Sequence, residues 1–189
     1  MAITTEATFV LDTLRNPTRA ELLDALMKLN FSVDDVEAAL GLAGEKPYFR
    51  KLLYKSEDVE MLVMNWSDVA CAPHDHGDSH GYIHVLEGES VNTVYEVDEG
   101  GLPSELFVKV QKSGQVLYAP RKGVHKMQAA GGGRLVTLHL YAPPISGMKV
   151  YDLEACAVCV VSDDCGAWWP EETRQKVREI KLERKRSGS

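Results

Sequence analysis

Long apolar runs are missing from this 189-residue chain: no stretch approaches the roughly 18 residues that a membrane-spanning helix requires. An excess of basic residues is missing as well. Lys and Arg number 21 against 28 Asp and Glu, a formal charge of -7, whereas a nucleic-acid partner would need a basic stripe. The one basic cluster, at 181–186, is short, is interrupted by Glu183, and reads as a solvated helix end. Residues 1–9 carry no basic segment and no long apolar run, so no secretory leader is visible. Cysteine is scarce. Four cysteines without a leader point to reduced thiols and a cytoplasmic protein. No internal repeat divides the chain. What remains is an ordinary soluble composition, 44% hydrophobic and 26% charged, with the length of one domain and a sizeable core.

The periodicity changes along the chain. Residues 1 to about 45 read as helical, with Leu22, Leu23 and Leu26 at helical spacing after Pro17. Ser32 and Asp35 make a capping box, and Gly41 is a stop. From about 48 the period is two. Short β segments are expected at 60–66, 83–86, 90–97, 105–110, 114–119, 126–129 and 134–141, separated by Gly-rich turns. Many short strands at regular spacing predict a sandwich or small barrel. Trp168-Trp169-Pro170-Glu171-Glu172 then opens a final helix, and 187–189 form a loose tail. The expected division is helices over 1–45, a β-barrel over 46–165, and a C-terminal helix with its tail over 166–189.

Six histidines are present, and three of them stand in an informative pattern. His74 and His76 share one face of an extended segment, flanked by Pro73 and Gly77. His125 follows in Gly114-x5-Pro120-x2-Gly123-x-His125, the punctuation of a returning strand. Three imidazoles without a fourth protein ligand leave open positions for chemistry. Neutral imidazoles suit iron, zinc, copper or nickel, so the ligands alone do not choose the metal.

These segments resemble the two motifs of the cupin superfamily. In that pattern a Glu ligand lies before a Gly, here Gly88; counting back, its place is held by Gly81. The missing carboxylate points to the thiol dioxygenases, and the chain is most similar to the cysteine dioxygenase family. The likeness rests on Tyr48-Phe49-Arg50, His74-Asp75-His76-Gly77-Asp78-Ser79-His80-Gly81, Gly123-Val124-His125, Thr137-Leu138-His139-Leu140-Tyr141 and Ala142-Pro143-Pro144, in family order.

The resemblance implies a mostly β fold: a small cupin barrel, a double-stranded β-helix or jelly roll, with N-terminal helices. It implies Fe(2+) on His74, His76 and His125, with L-cysteine and O2 as small-molecule partners; a monomer is expected, and charge and hydropathy argue against nucleic-acid and membrane partners. Arg50 would clamp the substrate carboxylate, helped by Tyr48. Tyr141 would face substrate and oxygen, oriented by His139, with Thr137 and His80 supporting from behind. Asp78 and Ser79 would brace the corner after the ligands. Another thiol acid such as 3-mercaptopropionate is the nearest alternative, and Arg50 together with Leu52 favours cysteine. A non-enzymatic ligand-binding cupin, or a zinc or manganese cupin with hydrolase or isomerase activity, would follow from the ligands without Arg50 and Tyr141. Animal members of the family carry at the place of Gly81 a Cys that crosslinks to the Tyr, so this chain is similar to the bacterial type with an unmodified Tyr141. Met148 stands where animal members have another Cys. The resemblance also implies a cis bond at Ala142-Pro143. Cys156, Cys159 and Cys165 read as buried thiols on a β segment, and Cys71 as a strand cysteine near the site.

Overall fold

A computed structural model describes residues 4–98, 101–163, 165–168 and 176–182. The helical N-terminus resolves into α1 (Thr5–Asp12), α2 (Arg19–Leu29) and a single turn, α3 (Val33–Val36), followed by a 3-10 turn at Glu37–Ala39. Thr18 caps α2: its Oγ1 accepts from the Glu21 N–H at 3.3 Å, while the Glu21 carboxylate accepts from the Thr18 N–H at 2.8 Å. Asn30, at φ 46°, ends the helix in a left-handed cap. The Ser32–Asp35 box is present, with Asp35 accepting from the Ser32 N–H at 2.8 Å. Leu11, Leu22 and Leu26 turn inward and are completely buried.

Eleven strands follow among the described residues: β1 (Tyr48–Lys55), β2 (Glu60–Trp66), β3 (His80–Glu87), β4 (Glu89–Glu96), β5 (Ser104–Lys112), β6 (Val116–Ala119), β7 (Val124–Ala129), β8 (Val136–Ala142), β9 (Lys149–Asp152), β10 (Ala157–Val161) and β11 (Lys176–Lys181). One antiparallel sheet has the order β1-β2-β8-β3-β6. The other layer consists of β5-β4-β7 and β11-β10-β9, joined by the His74 segment, which bridges to His125 on one side and Val150 on the other. The fold is the mostly β, double-stranded β-helix architecture that the motifs implied.

Strands β2 and β8 are buried on both faces because helices cover the outside of their sheet. Met61, Val63, Val136, Leu138 and Leu140 pack with Leu11, Leu22 and Leu26. Leu62, Met64, Trp66 and Tyr141 face the interior between the layers, with Ile83, Val85 and Met127. The period-two rule thus survives as a choice between two buried environments rather than between core and water.

Three elements differ from expectation, one of them the short strand β9, which lies outside the expected β segments. Strand β1 is not among the expected segments; its register with β2 shifts between Leu52 and Tyr54, and such a bulge breaks the alternation that marks a strand. The expected C-terminal helix is corrected over part of its span: residues 176–181 are strand β11, antiparallel to β10, with Ile180 opposite Val158. Pairing gives the backbone groups of the β10 edge their partners, and Ile180 joins Tyr95, Val124, Tyr151 and Val158 in an apolar cluster. The expected helix start at 170–172 and the basic stretch beyond 182 lie outside the described residues. Among those described, no helix is long and apolar enough to cross a membrane.

Leu138, fully buried between β8 and the helices, tests this packing. Leu138→Ala should cost about 2–5 kcal/mol of stability, read as a lower urea midpoint with unchanged slope.

Candidate metal centre

His74 and His76 sit at a corner rather than on a long strand, and the corner has a specific brace. Asp75, buried between them, accepts from the Gly77 N–H and the Lys149 N–H, both at 3.0 Å. Gly77 adopts φ +60°, and a Cβ there would lie 2.3 Å from the Ser146 carbonyl oxygen, so only glycine fits. His125 enters from β7, paired with His74 by backbone hydrogen bonds of 2.9 and 3.0 Å. Ring centroids are separated by 4.7 Å for His74 and His125, and by 5.1 Å for each pair involving His76. One nitrogen from each ring falls within 4.8 Å of the others.

Two of the rings have their tautomer set from behind. His74 Nδ1 lies 2.9 Å from the Ala72 carbonyl, and His125 Nδ1 lies 2.8 Å from Asn92 Oδ1. Neither oxygen can donate, so both nitrogens carry their protons and both Nε2 atoms keep a lone pair. Among the described residues His125 Nε2 is buried with no hydrogen-bond partner, as is His76 Nδ1. Burial lowers the pKa of all three rings, and neighbouring imidazoles push His76 and His125 further down. Three neutral, buried and convergent rings, with an unpartnered lone pair on His125 Nε2, fit a metal ion.

A directional chain of hydrogen bonds leads to the same place. The Trp66 indole N–H, a donor only, reaches Thr137 Oγ1 at 2.8 Å. Thr137 Oγ1 lies 2.7 Å from His139 Nε2 and meets no other acceptor among the described residues, so its proton goes to that nitrogen. His139 then carries its proton on Nδ1, 3.1 Å from the Tyr141 hydroxyl. Tyr141 is left to direct its own proton at His76 Nε2, 3.2 Å away. Burial lowers His139 to about 3, and burial holds the Tyr141 phenol well above its usual pKa. A neutral relay and a protonated phenol result.

The chamber around these groups has a volume of about 20 Å³ and is lined by Tyr48, Arg50, Leu62, Met64, Ile145 and Met148 besides the rings. Tyr48 is buried, and its hydroxyl accepts from the Ala167 N–H at 2.6 Å. Arg50 Nη2 donates to the Asp163 carbonyl at 2.5 Å. Gly81 lies opposite Tyr141 in the sheet; a Cβ there would fall 2.2 Å from Tyr141 Cδ1, so any side chain at this position would displace the ring.

His80 is elsewhere. It shares a face with Tyr82, toward Pro17 and Arg19 at the start of α2, 6.2 Å from the Tyr118 ring and behind the sheet. Its position one residue from Gly81 places it on the opposite side of β3, which corrects its expected supporting role. Asp78 points into solvent and pairs with Lys122 at 3.2 Å, so the brace falls to Asp75. Sequence reasoning also missed Asn92 and Trp66. Asn92 is one of several polar residues of β4 and Trp66 closes β2, so neither stood out from its neighbours. Cys71 lies near the site, in the loop before His74, and accepts from the Met127 N–H at 3.1 Å. Cys159 and Cys165 are buried as expected, but Cys156 is half-buried in a turn at φ 52°. The Ala142-Pro143 bond is cis.

Residues 15–154 match the family model for cysteine dioxygenase type I. The chain belongs to that family. Similar solved structures include a conserved protein with a double-stranded β-helix domain from Klebsiella pneumoniae (20% identity, 62% of this chain and 92% of that one, TM-score 0.47). The Cnp3 cupin domain of Schizosaccharomyces pombe is similar at 14% identity, over 57% of this chain and 71% of that one, with TM-score 0.46. Recombinant oxalate oxidase in complex with glycolate is similar at 15% identity, over 58% of each chain, with TM-score 0.48. Family and site together support a metal-dependent dioxygenase of cupin fold.

Asn92→Ala removes the acceptor behind His125. Metal affinity should fall about 10- to 100-fold, measured by competition with a chelator. The pKa shifts set a pH dependence. Because the folded-state pKa values of the buried histidines lie below the unfolded value of 6.5, the unfolded chain binds more protons below that pH. Stability of the metal-free protein should be flat above about pH 7 and fall steadily below 6.5. A melting temperature unchanged down to pH 5 would contradict the buried, neutral state of these rings.

Proposed function

We propose that the protein is an iron-dependent thiol dioxygenase that adds both atoms of O2 to the sulfur of L-cysteine, giving cysteine sulfinic acid. The observation that carries this reading is the donor set. Among the described residues, three neutral imidazoles converge without a carboxylate ligand, and a guanidinium and a phenol line the same chamber. Fe(II) held by His74, His76 and His125 would supply a dipositive centre that takes up a thiolate and O2 side by side and lowers the thiol pKa.

The geometry of the other residues supports a role for each. Arg50 offers two parallel N–H bonds to the substrate carboxylate. Tyr48, whose oxygen already accepts from Ala167, has its proton free to donate to the same carboxylate. Tyr141 presents a proton to the reacting end of the substrate and keeps it, because burial opposes its ionisation. His139 holds the Tyr141 oxygen by donating to it, and Thr137, anchored by Trp66, fixes the tautomer that makes this possible. Leu62, Met64, Ile145 and Met148 keep water away, which strengthens each of these contacts.

The test is O2 consumption by protein loaded anaerobically with Fe(II), then given L-cysteine or 3-mercaptopropionate, with sulfinate identified by mass. Uptake with cysteine is expected. No uptake with either thiol overturns the reading, and uptake with 3-mercaptopropionate alone overturns the choice of cysteine. Arg50→Ala should raise the KM for cysteine at least about 30-fold, equivalent to about 2 kcal/mol, and leave iron content unchanged. Equal loss of both would remove Arg50 from the clamp.

A further inference from the structure

Outside the metal chamber lies a larger cavity of about 520 Å³, which shares Tyr48, Arg50, Leu62 and Ile145 with it. That volume lies in the range of ligand pockets. Arg50 stands at the junction of the two. A free cysteine whose carboxylate ends at Arg50 leaves the outer cavity unused. Its lining nevertheless carries two further cations, Lys46 and Lys55. Lys46 makes no ion pair among the described residues and lies 5.0 Å from the centroid of the Trp168 ring. Lys55 lies 4.0 Å from Glu60 Oε2, at the outer limit of an ion pair, while the Ile145 N–H is held by the other oxygen, Oε1, at 2.9 Å. Glu60 and Asp163 are the acids of the lining, against the three cations Arg50, Lys46 and Lys55. Arg50, moreover, donates here to a peptide carbonyl, that of Asp163. The guanidinium thus accommodates an amide oxygen where an amino acid would offer a carboxylate.

We propose that the outer cavity is a subsite for a carboxylate carried one peptide unit beyond cysteine, so that the protein takes cysteinyl dipeptides such as cysteinylglycine. The inference rests on the thiol dioxygenase reading of the inner chamber. The amine and thiol that enter that chamber are the same in dipeptide and amino acid. Arg50 meets the peptide carbonyl, and Lys46 and Lys55 meet the terminal carboxylate. The reaction balances as thiol plus O2 to sulfinic acid: sulfur is oxidised, both oxygen atoms are retained on it, the peptide bond is untouched, and no further reductant is required.

Binding and turnover separate this proposal from the function it builds on. Metal-free protein is titrated with serine and with serylglycine, redox-inert stand-ins, following tryptophan fluorescence, since Trp168 lines the outer cavity. Serylglycine should bind at least about threefold tighter than serine, as expected for exposed charge pairs, and added salt should shrink the difference. The double variant Lys46→Glu, Lys55→Glu should abolish the preference and leave serine binding unchanged. Serylglycine binding no tighter than serine, or a preference that survives the double variant, overturns the subsite. With Fe(II)-loaded protein, O2 uptake should occur with cysteinylglycine as well as cysteine, and uptake with cysteine alone overturns the dipeptide proposal. Lysine-dependent serylglycine binding without uptake for any thiol overturns the dioxygenase reading and supports the subsite.

Discussion

Three uncharged imidazoles with unshared electron pairs converge in a dry interior, and the rest of the structure is arranged around that requirement. A buried polar atom without a partner is costly. Here the protein satisfies Nδ1 of His74 and Nδ1 of His125, and among the described residues leaves His125 Nε2 buried and unmatched. That deficit makes a metal the natural occupant. It also explains the architecture nearby. His74 joins the two halves of one sheet layer by single bridges, Asp75 ties the corner to Lys149, and Gly77 passes against Ser146 where no side chain would fit.

The second organising feature is direction. Trp66 can only donate, and this single fact propagates through Thr137, His139 and Tyr141 until a proton faces the metal chamber. The chain is buried throughout and includes no formal charge, which suits a chamber walled by Leu62, Met64, Ile145 and Met148. Cationic charge lies to one side, at Arg50 and the lysines beyond it, in a cavity that Glu60 and Asp163 also line. The reaction we propose uses this division. Neutral donors serve the reacting centre, and cations serve the carboxylate.

Much of this is legible in the order of residues alone. His74, His76 and His125 read as one cluster because their spacing and punctuation mark two returning segments. Thr137, His139 and Tyr141 fall on one face of a strand and Leu138 and Leu140 on the other, because side-chain alternation is a local property. Counting back from Gly88 puts a glycine, Gly81, where a ligand carboxylate would otherwise stand. The bulge at Leu52/Tyr54 hides β1, since one inserted residue destroys the local period. The strand at 176–181 is hidden for a different reason. Its pairing depends on an open edge of β10, which no local pattern reports. His80 lies in the ligand segment and so reads as part of the site, yet β3 turns it to the opposite face.

The family resemblance supplied the cupin barrel and the missing carboxylate at Gly81. By itself the sequence determined a β-rich fold, the three candidate ligands and the face shared by Thr137, His139 and Tyr141. These follow from spacing and residue type, which act over a few bonds. Only the tertiary structure decided what stands behind His74, His125 and Thr137. Asn92 comes from β4, Trp66 from β2 and the Ala72 carbonyl from a loop, and each meets its partner through sheet register or chain packing. The position of Arg50 between two cavities was decided in the same way. Hydrogen-bond partners and cavity walls are set by distances between remote segments, and those distances exist only once the layers have closed.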